Sequence, residues 1–279
     1  MRHVRIERKD ADQLRAMRVA GLVVGRTLAR LAEAAAPGVT TAELDALAAE
    51  QIAGAGAVSS FFGYDGGIGL PPFPAVTCIS VNDEVVHGIP GPRVLADGDL
   101  VSIDFGVSVA GWHGDAAVTI GIGAVSPAAA ALSATTREAM WQGVAAAAAG
   151  GRIGDIGNAI ERSIRSRPGR HGIISEFTGH GIGSAMHMAP DVPNIGRRGR
   201  GLPLLTGMAL AIEPMVTLGS AAVVTRDDEW TIATRDHSLA AHWENTVAIT
   251  ESGLWVLTAE DGGEAELTAR GVAFGPLGD

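Results

Sequence analysis

Two aspartates, Asp104 and Asp115, fall inside residues 100–123, LVSIDFGVSVAGWHGDAAVTIGIG, a stretch with the alternation of half-buried strand. Ile103, Phe105, Val107 and Val109 alternate with Ser102, Asp104, Gly106 and Ser108. Beyond a reversal near Val109 and Ala110, the pattern resumes with Ala116, Val118 and Ile120 against Asp115, Ala117 and Thr119. That folding sets the two carboxylates opposite each other across an antiparallel pair, where like charges repel. Ionised groups on such a face are costly to desolvate unless something neutralises them. A register slip of one residue would send one of them to solvent. With both inside, a metal ion between them is the leading candidate.

Further titratable residues sit in equally unusual places. His180 lies in TGHGIG, where glycines on both sides let backbone approach closely. His187 follows seven residues later. Glu213 is embedded in the apolar run ALAIEPMV, Glu244 opens ENTVAIT, and His87 precedes the Gly-Ile-Pro-Gly turn of NDEVVHGIPG. Each alone has an ordinary explanation, as a hydrogen-bonded structural histidine or a glutamate paired with arginine. Together, Asp104, Asp115, Glu213 and Glu244 supply four carboxylates and His180 an imidazole, which matches two divalent cations. An oxygen-rich set of this kind suits manganese, iron or cobalt, with zinc also compatible.

The elements that must position these residues follow from pattern and punctuation. Residues 7–36 read as a helix stopped by Pro37-Gly38, and Thr40 or Thr41 caps a second helix running to about Gly54. Residues 59–74, rich in glycine, proline and aromatics, read as an ordered loop. Strands are expected at 75–81 and 100–123. Pro127 opens a helix to Ala149, and another runs from about Ile153 to just before Pro168. Strands are expected again at 172–177, 208–217, 222–225, 229–234 and 242–250, and 260–279 as a tail. Helix pair, strands, helix pair, strands is an α+β pattern. No Gly/Ser or Pro-rich linker divides it, so one domain is expected over 1–279, with its core at about 7–255.

Composition narrows the partners. The chain has 279 residues, 47% of them hydrophobic, a formal charge of −10 and one cysteine, Cys78. This acidity disfavours binding to nucleic-acid phosphates. Arg2, Arg5, Arg8, Lys9, Arg15 and Arg18 cluster at the start and are expected on the exposed face of a helix. A lone cysteine excludes a disulfide framework and a cysteine-built zinc site. The longest apolar run, Val144 to Ala149, is too short for a membrane span. The charged N-terminus carries no signal-peptide pattern, so a cytoplasmic protein is expected.

The segments NDEVVHGIPG, SIDFGVSVAGWHGDAAVTIG, TGHGIGSAMHMAP, MALAIEPMV and DEWTIATRDHSLAAHWENTVAIT, in this order and spacing, strongly resemble type I methionine aminopeptidase. The resemblance spans about residues 7–255. It implies the pita-bread fold, with pseudo-two-fold αα-ββ halves and a central curved antiparallel sheet covered by helices. It also implies a pair of divalent ions, cobalt, manganese, iron or zinc. Asp104 matches a chelating ligand of one ion, Asp115 and Glu244 the bridging carboxylates, and His180 and Glu213 ligands of the other. His87 and His187 match histidines that contact substrate. Phe61, Tyr64, Cys78, Met186 and Trp230 match the walls of a methionine pocket. The family usually has Cys at the place of Phe61 and Phe at that of Met186. The loop after Tyr64 is longer than usual and has Asp65 where His is expected.

The implied activity is removal of N-terminal methionine ahead of a small second residue, through metal-activated water attacking the first peptide bond. Glu213 would accept the water's proton, His187 would stabilise the oxyanion, and His87 would hold the substrate backbone and assist the leaving amine. Nascent polypeptides near the ribosome exit are the implied partners, and a monomer of the short bacterial form the implied state. Two rivals remain at this point. A proline-specific peptidase shares the ligand set but usually carries a sizeable N-terminal domain, and a pita-bread scaffold without catalysis would typically lack some ligands.

Overall fold

The computed structural model describes residues 6–66 and 69–278. Arg2 and Arg5 lie outside the described residues. The first half begins with α1 (Ala11–Ala34) and α2 (Thr41–Ala55), followed by β1 (Val58–Ser59), β2 (Cys78–Val81), β3 (Glu84–Val86), β4 (Leu100–Val109) and β5 (Trp112–Gly121). Asp10 and Gln13 form a capping box on α1, and Thr40 and Glu43 form another on α2, so both helix starts are written locally. β4 is the spine of this half. It pairs with β1 and β2 on one edge and with β5 along its whole length on the other.

The second half repeats the plan with α3 (Pro127–Ala145) and α4 (Ile153–Arg165). Its strands are β6 (Gly172–Ile173), β7 (Gly179–Gly181), β8 (Met188–Val192), β9 (Ala209–Ile212), β10 (Met215–Thr217), β11 (Val223–Thr225), β12 (Ile232–Thr234), β13 (Ala240–His242), β14 (Asn245–Ile249) and β15 (Leu254–Val256). Ser126 caps α3 with Pro127 in its first turn. The alanine run ends as helix at Ala145 rather than Ala149, just ahead of Gly150 at φ +88°. The expected strand at 208–217 breaks into β9 and β10 around Glu213 and Pro214, since proline has no N–H for a ladder. β15, β14, β9, β7 and β8 form one sheet in that order, every pair antiparallel.

Each half buries its own core. Val24, Leu28, Leu31 and Leu44 of the first helix pair cover Ile79, Ile103 and Phe105. Leu132, Met140, Ile156 and Ile160 of the second cover Leu210, Ile212 and Val247. Each such side chain contributes about 1.5–3 kcal/mol by leaving water. Between the halves, β5 meets the start of β14: Glu244 N–H donates to the Ala117 carbonyl at 2.9 Å and Ala117 N–H returns the bond at 3.3 Å. Helix α1 lies very close to the chain after β15. A Cβ at Gly21 would fall 2.2 Å from the Leu257 carbonyl oxygen.

Two members of the N-terminal basic cluster are buried, contrary to the expected exposed face. Arg18 is 2% exposed because its guanidinium donates to the carbonyls of Val256, Leu257, Ala259 and Glu260 and packs on Trp255. Lys9 is 6% exposed: its ammonium donates to the Ile182 carbonyl and pairs with Glu7, whose carboxylate also accepts from the Ser184 backbone and hydroxyl. The stretch Glu7–Lys9 thus ties down the loop between β7 and β8. Residues 260–278 are likewise more than a tail, since α5 (Glu264–Ala269) buries Leu267 and Phe274 bridges to Leu254. Among the described residues no helix is long and apolar enough to cross a membrane.

Candidate metal centre

The ladder between β4 and β5 sets the first two carboxylates. Asp104 pairs with Ala117 and Asp115 with Gly106, so the aspartates are diagonal neighbours on one face rather than directly opposed. The cause is the turn. It closes on Ala110 and Gly111, at φ +49° and +81°, between paired Val109 and Trp112, one step later than the strand pattern suggested. Gly106 makes the diagonal approach possible. A Cβ there would lie 2.9 Å from Asp115 Oδ1 and 2.9 Å from the Phe61 ring.

The second half supplies the rest. His180 sits on β7, and its Nδ1–H donates to the Gly181 carbonyl at 3.0 Å. That bond fixes the tautomer and leaves the Nε2 lone pair facing Glu213 Oε1 at 3.5 Å. Glu213 stands at the break between β9 and β10, and Glu244 at the seam with β5. Ligand-type atoms of Asp104, Asp115 and Glu244 lie within 4.8 Å of one another; so do those of His180, Glu213 and Glu244, and those of Asp115, His180 and His187. Asp115, His180 and Glu244 each belong to two of these groups.

The electrostatics call for cations. Burial, then the charges of Asp115 and Glu213, raises the Asp104 pKa well above its usual range. Burial and Glu213 do the same to Asp115, and burial with Asp115, Glu213 and Asp104 to Glu244. Burial alone pushes Glu213 up to about 8 and His180 is brought down to about 3, mainly by burial and then by His187. Among the described residues no lysine or arginine pairs with these carboxylates. Asp104 Oδ1, Asp115 Oδ1 and Glu244 Oε1 are buried with no hydrogen-bond partner. Acceptor oxygens orphaned in this way, beside a neutral imidazole lone pair, fit divalent metal. The donor set is oxygen-rich with nitrogen from histidine, which suits the harder first-row ions.

Every candidate ligand, catalytic and pocket residue named from the sequence lines one cavity of about 870 Å³. Its apolar end is a cluster of Phe61, Cys78, Met186 and Trp230 with Phe73, Tyr64 and Leu70. His87, at φ +61°, packs edge-on against Phe177 and Trp230, and burial followed by the nearby His242 and His187 brings its pKa to about 4. His187 faces the open part of the cavity, with Nδ1 2.7 Å from the Tyr64 hydroxyl. Burial and then His113 lower its pKa.

One imidazole facing the cage carboxylates was missed. His242 ends β13, is 2% exposed, and points Nε2 at Glu213 Oε2 (3.6 Å) and Glu244 Oε2 (3.9 Å). The available signal was its spacing of two from Glu244, which in extended chain means a shared face.

Comparison with known proteins follows the same lines. The profile of metallopeptidase family M24 matches residues 15–251. The chain belongs to metallopeptidase family M24. Methionine aminopeptidase 1 of Mycobacterium tuberculosis is 49% identical over 258 residues, covering 91% of this chain and 95% of that protein. The methionine aminopeptidase of Clostridium acetobutylicum is 48% identical over 251 residues, covering 90% and 97%. The crystal structure of the Thermotoga maritima methionine aminopeptidase superposes with a TM-score of 0.87 at 37% identity, covering 92% of this chain and all of that one. Prolidase from Pyrococcus furiosus shares the fold more loosely, with a TM-score of 0.68 at 20% identity over 90% of this chain and 65% of its own. The architecture is the pita-bread fold of M24, a curled antiparallel sheet backed by helices.

Proposed function

We propose that this M24 enzyme is a methionine aminopeptidase, a metal-dependent hydrolase that removes methionine from polypeptide N-termini, favouring a small second residue. One observation carries the reading: three carboxylates with orphaned oxygens, Asp104, Asp115 and Glu244, meet Glu213 and His180 at the polar end of a cavity whose other end is apolar. Asp104, Asp115, His180, Glu213 and Glu244 would hold the divalent ions. Bound there, cobalt, manganese, iron or zinc would supply Lewis acidity and make water nucleophilic near neutral pH.

The chain's own groups do the rest. The methionine side chain enters among Phe61, Tyr64, Cys78, Met186 and Trp230, where a flexible thioether packs well against aromatic and sulfur surface. Glu213 takes the proton of the attacking water on its cavity-facing carboxylate and returns it towards the leaving amine. His187 lies with Nδ1 2.7 Å from the Tyr64 hydroxyl; with that hydroxyl donating to Nδ1, its Nε2–H would be free to stabilise the oxyanion as it forms. His87 hydrogen-bonds the substrate backbone and assists amine departure. Nascent chains near the ribosome exit are the natural source of such N-termini, so a cytoplasmic monomer acting there completes the proposal.

The test is side-by-side hydrolysis by metal-loaded enzyme. Met-Ala-Ser should be cleaved and Xaa-Pro peptides should not. Cleavage of Xaa-Pro peptides alone would assign a proline-specific activity, and a protein that retains no divalent metal and cleaves neither would be a scaffold.

A further inference from the structure

His242 stands in the metal cage without a role in the mechanism above. Its backbone is pinned from the first half of the molecule. The N–H donates to Thr119 Oγ1 at 2.9 Å and Ser102 Oγ at 3.2 Å, while its carbonyl accepts from Thr119 Oγ1 at 2.6 Å. Ser102 and Thr119 are themselves hydrogen-bonded across β4 and β5 at 2.8 Å. The imidazole is therefore aimed by a rigid base, and it is aimed at two carboxylates at once. Nε2 is buried and has no hydrogen-bond partner.

Its distances are informative. At 3.6 Å from Glu213 Oε2 and 3.9 Å from Glu244 Oε2, Nε2 is beyond direct hydrogen-bond range of either. It is within reach of both through a small closing movement or one bridging water. His180 approaches Glu213 from the other oxygen, Oε1, at 3.5 Å. Glu213 is thus flanked by imidazoles on both oxygens, one fixed by the Gly181 carbonyl and the other by the Ser102–Thr119 hydroxyl pair.

We propose that His242 is a positioning residue: its Nε2–H holds Glu213 and Glu244 in the orientation that divalent-ion binding and proton transfer require. Metal-ligating carboxylates are oriented by hydrogen-bond donors behind them, and losing such a donor commonly lowers metal affinity or activity 10–100-fold. The proposal rests on the metal-centre reading given above.

The experiment compares wild type, His242→Leu and His242→Gln. Manganese(II) affinity is read by titration calorimetry, and kcat and KM on Met-Ala-Ser are measured separately. His242→Leu fills the space without a donor and should weaken manganese binding about tenfold or more. It should lower kcat with KM little changed. His242→Gln restores an amide donor of similar reach and should return both values to within about threefold of wild type. Equal manganese affinity in wild type and His242→Leu overturns the proposal, as does a glutamine variant no better than leucine. Should His242→Leu fail to fold, His242→Asn, whose amide is too short to reach the carboxylates, takes its place with the same expected loss. Failure of the wild type to bind manganese would instead overturn the metal-centre reading, so the two failures are distinct.

Discussion

The two ends of the cavity are built by different means. Asp104 and Asp115 are fixed by consecutive ladder bonds of β4 and β5, Glu244 by reciprocal bonds to Ala117, and His180 by its own strand. The apolar end comes mostly from segments without ladders: Phe61, Tyr64 and Phe73 from the loop between β1 and β2, Met186 from the loop before β8, and Trp230 from the one before β12. Those loops are held by scattered turn and side-chain bonds, such as Phe73 N–H to the Tyr64 carbonyl at 2.8 Å and Trp230 Nε1–H to the Pro71 carbonyl at 2.9 Å. Regular backbone places a charge to fractions of an ångström, whereas loops can exchange one apolar residue for another at constant volume. The departures that the sequence resemblance implies fall on the loop side, at Phe61, Asp65 and Met186.

This contrast can be broken most forcefully at the cage. Asp104→Ala or Glu244→Ala should abolish metal retention at its ion and lower kcat/KM by about 10³ or more, the equivalent of about 4 kcal/mol of transition-state stabilisation. Metal analysis and peptide kinetics check both. His187→Ala should lower kcat about 10²- to 10³-fold with metal content intact, as loss of one oxyanion donor does elsewhere; an unchanged kcat removes it from the chemistry. Trp230→Ala acts at the loop end. It should reduce kcat/KM for Met-Ala-Ser about 10- to 200-fold, mostly through KM, while bound metal stays at the wild-type level.

Gly106→Ala touches both ends, since the added methyl meets Asp115 and Phe61 together. It should cost about 1–3 kcal/mol of stability by overpacking and weaken metal binding as well. A variant that alters only methionine selectivity would show that the two ends are less connected than the geometry makes them.

A gentler probe is pH. Burial raises the Glu213 carboxyl to about 8 from an ordinary 4.5. The folded, metal-free chain therefore keeps a proton that the unfolded chain releases near the ordinary value. Stability should then fall as pH rises from about 4.5 through about 8, the reverse of an ion-paired acid. Thermal melts of chelator-treated protein should show this decline, and added divalent metal should remove it.

Much of the cage was legible in the chain because period and position coincide. An aspartate in a strand pattern, a glutamate in an apolar run and a histidine between glycines each break a local rule, and broken rules mark sites. The starts of α2 and α3 were readable from local signals at Thr40 and Pro127, whereas α1 begins only at Ala11, behind its Asp10 cap, and not at residue 7. What could not be read depends on distant partners. The diagonal placement of Asp104 and Asp115 rests on which two residues make the turn. Arg18 is buried because carbonyls some 240 positions away need donors, and no pattern around it announces them. His242 follows Leu239-Ala240-Ala241 in the chain, and only the folding of β13 brings it beside Glu213.

The short stretch ahead of α1 has a consequence for how the protein is handled. Glu7 and Lys9 grip the segment that presents Met186 and His187, yet the helix behind them carries its own cap at Asp10. A nick or fusion junction that unhooks those two side chains would leave melting curves nearly unchanged while loosening substrate capture, so a well-folded preparation could still be a slow one.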